Sequence, residues 1–145
     1  ADMVSIADVG LGVSQALPVA VALLVAAPGQ LVYLEQPETH LHPKAELGLG
    51  KLLAEAAARG IRVVVETHSA LLLRVIQTLV ARGELEAPLV KLHWFRRNPK
   101  DGITEVSSAD VDQEGAFGNW PEDFDEVGLQ AEKDYLDAAA LGRKG

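Results

Sequence analysis

Two short runs of this sequence end in groups that can do chemistry. The first is LVYLEQPETHLHP, Leu31 to Pro43, where an apolar run meets Glu35, Gln36 and Glu38 and then His40 and His42. The second is VVVETHS, Val63 to Ser69, where three valines lead into Glu66, Thr67, His68 and Ser69. A carboxylate at the end of the first run can hold magnesium, directly or through water. An imidazole at the end of the second can donate to a phosphate oxygen. Either alone reads as a polar strand end facing solvent. Together, at the ends of consecutive strands, they point to one site.

Other chemistries fit less well. Glu38, His40, His42, His68 and His93 offer enough ligands for zinc. Histidines two apart share a side only in an extended segment, however, and Pro43 turns the chain into a helix at once. No serine sits in a G-x-S-x-G elbow, which argues against a serine hydrolase. Glu35, Glu38 and Glu66 admit a metal-dependent nuclease as a further alternative.

The elements that must position these groups follow from the apolar pattern. Ser14 or Gln15 to about Ala27 reads as a buried helix, apolar on nearly all sides, with Pro18 in its first turn. Leu31–Glu35 is short, continuously apolar and flanked by breakers, as a strand covered on both faces is. Pro43 opens the next helix, Leu49, Leu52, Leu53 and Ala56 share one face, and Arg59-Gly60 ends it. Gly48 and Gly50 weaken that helix by about 1 kcal/mol each. Ile61–Glu66 is a second strand, and Ser69 caps a helix whose face carries Leu72, Ile76, Leu79 and Val80. This alternation predicts an α/β fold with parallel strands. LVKLHWFRR and ITEVSS around NPKDG predict an antiparallel hairpin. Residues 108 to 121 read as an acidic loop, and the C-terminal segment as a last helix anchored by Phe124, Leu129 and Leu136.

Composition narrows the classes. The 145 residues, 48% of them apolar, are enough for one ordinary domain with a core. There is no cysteine, which excludes disulfides and thiolate metal sites and makes a cytoplasmic setting the default. A net charge of −8 repels phosphate backbones, so nucleic acid is expected only through a larger parent protein. Arg96, Arg97 and Lys100 form a small basic group that reads as a solvated turn. Ala16 to Ala27 is too short to span a bilayer, so no membrane contact is expected.

With these residues in view, a family resemblance appears. LVYLEQPETHLHP resembles the Walker B and D-loop segment of ABC-type ATPases, in the variant used by AAA-type proteins related to the OLD, RecF and SMC groups. VVVETHS resembles their switch-histidine segment. VGLGVSQALPV, Val9 to Val19, stands where those proteins carry the signature motif. The segment from NPKDGITEVSS to NWPEDFDE resembles an uncharacterised domain found C-terminal to predicted AAA ATPases. The resemblance implies residues 1–97 as the C-terminal part of an ABC-type ATPase domain and residues 98–145 as a family-specific hairpin and helix.

Carried over by position, the resemblance implies ATP and Mg²⁺ as cofactors. Glu35 stands where the Walker B aspartate organises the magnesium shell. Gln36 takes the place of the general-base glutamate, and His68 that of the histidine contacting the γ-phosphate. Gly12, Ser14 and Gln15 fall in the signature segment, with GVSQ replacing the usual serine-glycine-glycine-glutamine run. His40 to His42 form the D-loop. Signature and D-loop act in trans in this family, which implies a head-to-tail homodimer.

Two departures qualify the picture. No G-x-x-x-x-G-K-S/T motif occurs; GLGK at Gly48 to Lys51 lacks the first glycine and the hydroxyl residue. The chain thus looks like part of a larger ATPase whose Walker A half lies upstream, and alone it is expected to bind nucleotide poorly. An amide at Gln36 orients water but is no base near neutral pH, so hydrolysis is expected to be slow, with Glu38 or Glu66 able to act through a water. The leading expectation is an ATP-binding, slowly hydrolysing dimer switch. The alternative is a non-catalytic interaction module on a degenerate ATPase scaffold.

Overall fold

The computed structural model describes residues 11–118. Their order is α1 (Leu11–Val25), β1 (Leu31–Glu35), α2 (Pro43–Ala58), β2 (Arg62–Glu66), α3 (Ala70–Ala81), a 3₁₀ turn at Ala87–Leu89, β3 (Lys91–Arg97) and β4 (Thr104–Asp110). β1 and β2 pair in parallel, from Leu31 opposite Arg62 to Glu35 opposite Glu66. β3 and β4 pair antiparallel, from Lys91 opposite Asp110 to Arg97 opposite Thr104. This is a mixed α/β fold, as the alternation of patterns predicts. The expected last helix lies outside the described residues.

One apolar cluster joins the first three helices to the parallel strands. Leu23 of α1, Leu34 of β1, Leu49, Leu53 and Ala56 of α2, Ile61 and Leu72 of α3 form it, with Val32, Val63 and Val65 packed against it. All three helices therefore lie on the Leu34 face of the strands. The opposite face is open: Leu31, Tyr33 and Val64 are 66%, 57% and 48% exposed. This corrects the expectation of a strand covered on both faces. A continuous apolar run does not say which face is covered, because both faces carry the same residue types.

α1 departs from expectation in two ways. It already runs through Leu11, so Pro18 lies in its interior rather than its first turn. Proline has no N–H to give to the helix ladder and costs about 3 kcal/mol there. Contacts of Val19, Leu23 and Ala26 with the core on its C-terminal side hold the helix despite that loss. Nor is the helix buried all round. Leu23 is inaccessible, whereas Val13, Leu17, Val21 and Leu24, spaced along one face, are exposed. The Arg59 guanidinium donates to the Leu23 carbonyl in the last turn, where a cation also offsets the helix dipole.

α2 follows its sequence signals. Pro43 takes a first-turn position, and His42 caps the helix by accepting the Lys44 N–H on Nδ1 at 3.2 Å. At the other end Gly60 has φ +82. Its N–H reaches the Ala57 carbonyl at 2.9 Å, and the Ile61 N–H reaches that of Ala56 at 3.2 Å, which satisfies two orphan carbonyls. Gly50 is buried against α3: a Cβ there would collide with Val75 Cγ1 and stand 3.0 Å from Val75 Cβ. The glycine that lowers helix propensity is what lets α2 and α3 approach.

A second cluster seats the hairpin on the far end of α3. Ala54, Val75, Leu79, Val80, Leu85, Val111 and Phe117 form it, with Leu92 and Ala109 of the hairpin packed against it. Residues 108 to 110, expected in a loop, continue β4, and Val111 bridges Phe117 beyond it. The polar Ser108 and Asp110 hid that strand, because its partners are the polar pair His93 and Lys91.

Candidate functional site

The ends of β1 and β2 lie side by side. The ladder runs one residue beyond β1, where the Gln36 N–H donates to the Glu66 carbonyl at 2.8 Å. Gln36 then adopts φ +43 and His40 φ +66, left-handed conformations that cost a non-glycine residue about 1–2 kcal/mol each. Between them the Thr39 N–H closes on the Gln36 carbonyl at 3.0 Å and the Leu41 N–H on the Glu38 carbonyl at 2.9 Å. This tight turn carries Glu38 back over the end of β2.

There Glu38 meets the second motif. Its Oε1 accepts from the Thr67 hydroxyl at 2.6 Å and from the His68 N–H at 3.2 Å. Thr67 Oγ1 in turn accepts the Ser69 N–H at 3.0 Å. The Ser69 hydroxyl donates to Glu46 at 2.6 Å and accepts the Leu72 N–H at 3.0 Å, capping α3. Glu38 Oε2 is shielded from solvent, and among the described residues nothing donates to it. The carboxylate is turned toward protein, with Oε1 on the Thr67–His68 segment and Oε2 closed off.

Glu35 and Glu66 occupy the open face. They are register partners, on adjacent strands about 4.8 Å apart. The Tyr33 hydroxyl donates to Glu66 Oε2 at 2.9 Å. That hydrogen bond, then burial and the charges of Glu66 and Glu35, raise the Tyr33 phenol above its ordinary value of 10.0. Sequence reasoning missed this pair, although the alternation of side chains along parallel strands puts Tyr33, Glu35 and Glu66 on one face.

Of the remaining candidate residues, Gly12 is brought to this end of the strands. A Cβ on Gly12 would stand 3.2 Å from the His40 carbonyl, so the start of α1 lies directly against the turn after β1. Ser14 is half-buried, and Gln15, His40, His42 and His68 are exposed. His93 is on β3, hydrogen-bonded through Nδ1 to Ser108 Oγ at 2.8 Å. Among the described residues no three histidines or carboxylates are placed to hold a metal ion by themselves, so neither the zinc set nor the Glu35, Glu38, Glu66 nuclease set is assembled. The basic turn is partly neutralised: Arg96 and Asn98 both donate to Glu105, at 3.4 and 3.1 Å.

A family model described as "AAA domain, putative AbiEii toxin, Type IV TA system" matches residues 1–74, just over half of the 145. The chain belongs to this AAA family. No curated protein matches the chain. The matched span holds both strand ends, and the hairpin lies beyond it. Membership makes this an AAA, P-loop ATPase-like domain, a class whose general function is nucleotide binding. Among the described residues of the AAA domain no helix is long and apolar enough to cross a membrane.

The donor set of the AAA domain fits magnesium shared with a nucleotide. Magnesium takes one or two carboxylates, with waters and phosphate oxygens completing its octahedron. Glu35 and Glu66 present two exposed carboxylates side by side at the strand ends, and a self-sufficient protein cage is absent among the described residues.

Proposed function

We propose that this chain is the Walker B and switch-histidine portion of an ABC-like AAA ATPase, akin to the OLD, RecF and SMC groups, and that its nucleotide lies over the ends of β1 and β2. The observation that carries the reading is the union of Glu35, Gln36, Glu38 and His68 at one end of a parallel pair, within the span that matches the family. In parallel sheets ligands bind beyond the carboxyl ends of the strands.

In this reading Glu35 would hold Mg²⁺, directly or through water, and the ion would supply charge neutralisation to the bound phosphates. His68 donates to the γ-phosphate. Gln36 orients the attacking water without taking its proton, so turnover is slow. The phosphate loop comes from a segment outside these 145 residues, since no G-x-x-x-x-G-K-S/T occurs among them. Gly12, beside the His40 turn, together with Ser14, Gln15, His40 and His42, faces the nucleotide of a second protomer in a head-to-tail homodimer.

One observation favours the second reading, a non-catalytic interaction module. The position expected of the base carries an amide, Gln36. The test is Mg²⁺-dependent ATP binding by the natural polypeptide that joins this chain to a phosphate loop. His68→Ala is expected to weaken binding about tenfold or more, the loss of one charge-assisted hydrogen bond. Undiminished binding and turnover in that variant would remove His68 from the phosphate site.

A further inference from the structure

We infer that Glu38 is a positioning residue, which locks the segment carrying His68 to the turn after β1 and does not itself act as a base. This deepens the proposed function and, for His68, rests on it. Three observations support it. Glu38 Oε1 takes two donors at once, the Thr67 hydroxyl at 2.6 Å and the His68 N–H at 3.2 Å. The second oxygen is shut away from solvent, whereas a general base must reach the proton it takes, directly or through one water. The turn that delivers Glu38 contains two left-handed non-glycine residues, Gln36 and His40, a backbone arrangement sustained only where surrounding contacts enforce it.

The lock extends on both sides. From Thr67 it passes to the Ser69 N–H, and from the Ser69 hydroxyl to Glu46 of α2 and to the first turn of α3. On the other side the same turn presents the His40 carbonyl to Gly12. The backbone of His68 is therefore tied to β1, α2 and α3, and the turn that ties it also touches α1. A movement at the start of α1 has a short mechanical route to the histidine. His68 follows no glycine or proline, and Glu38 holds its amide from outside its own segment.

The geometry separates positioning from base catalysis by substitution. Glu38→Gln keeps an acceptor for both donors but removes the basic oxygen. Glu38→Ala removes both functions. In the nucleotide-free chain, amide exchange followed by NMR reports the lock without reference to ATP. Glu38→Ala should raise exchange of the His68 amide ~10- to 100-fold, as expected for losing a hydrogen bond to a charged group. Glu38→Gln should raise it less than about tenfold, the acceptor being kept but its charge lost. The amides of Leu34 and Val64 within the strand pair should stay protected in both variants, which excludes global unfolding. Thr67→Val, which keeps shape and loses the hydroxyl, should loosen the Ser69 amide that Thr67 Oγ1 accepts. An unchanged His68 amide in a folded Glu38→Ala chain overturns the lock, whatever the protein does with nucleotide. In the ATP-hydrolysing polypeptide, Glu38→Gln should retain most of kcat and Glu38→Ala should lose at least ~10-fold. Equal, deep losses in both variants would make Glu38 a base and overturn the inference. Turnover unaffected by His68→Ala, with the exchange result intact, would count against the proposed function alone.

Discussion

The close approach of α2 and α3 sets where α3 begins, and so where Thr67, His68 and Ser69 stand. Two glycines two residues apart on α2 test it. Gly48 is exposed, and a Cβ there meets nothing within 4 Å. Replacing it by alanine should stabilise the fold by about 1 kcal/mol through helix propensity alone. Gly50→Ala brings the same propensity gain but drives its methyl into Val75 Cγ1, with Val75 Cβ at 3.0 Å and Leu72 Cδ1 at 3.6 Å. Overpacking of this kind costs about 1–3 kcal/mol, so the net effect is a loss of about 1 kcal/mol. Subtracting one variant from the other cancels the propensity term and leaves the interhelical contact, about 2 kcal/mol. Thermal unfolding followed by circular dichroism should place the two variants some 4–8 °C apart, since about 1 kcal/mol shifts a domain of this size by about 2–4 °C. If Gly50→Ala stabilises as much as Gly48→Ala, the two helices do not meet at Gly50 and the geometry argued for the site falls with them.

Three further substitutions probe the strand ends. Ser69→Ala removes the α3 cap and the partner of Glu46, and urea unfolding should show a loss of about 1–2 kcal/mol; no loss would mean the cap is not made. The Tyr33 phenol is raised by its hydrogen bond to Glu66, so the folded state holds the proton more tightly than the unfolded state. That stabilisation is fully present below the ordinary tyrosine value of 10.0 and is lost as pH rises through the folded value. Tyrosinate absorbance should show a late-titrating tyrosine that disappears in Tyr33→Phe, leaving only Tyr135, and an unaltered titration curve would refute the pairing. Gln36→Glu supplies a carboxylate at the position proposed to orient the water, and single-turnover ATP hydrolysis should rise about 100-fold or more; an unchanged rate would show that proton transfer does not limit turnover.

Much of this was legible in the sequence because local signals agreed with the fold. Pro43, Arg59-Gly60 and Ser69 each mark a helix end that the structure retains. The parallel pairing of β1 with β2 follows from the alternation of strand and helix patterns, and its register, which unites Glu35 with Glu66, is supplied by the structure. The failures share a cause, namely that tertiary contacts outvote local preference. Pro18 reads as a helix start, yet core contacts of Leu23 carry the helix past it. Gly50 reads as a weak point, yet it is a contact surface. Ser108 and Asp110 read as loop, yet cross-strand partners make them strand. The hold of Glu38 on Thr67 spans 29 residues of chain, and nothing in local spacing announces it.

The central claim is that a nucleotide sits over the ends of β1 and β2. Its most direct test uses paramagnetic Mn²⁺ in place of Mg²⁺ with a non-hydrolysable ATP analogue, in a polypeptide that joins this chain to the proposed phosphate loop, and maps which amide signals broaden. Selective broadening is expected at Glu35, Gln36, His68 and Ser69, with Lys91 to Arg97 of the hairpin unaffected. Bound nucleotide that leaves those four amides sharp, or broadens the hairpin instead, would contradict it.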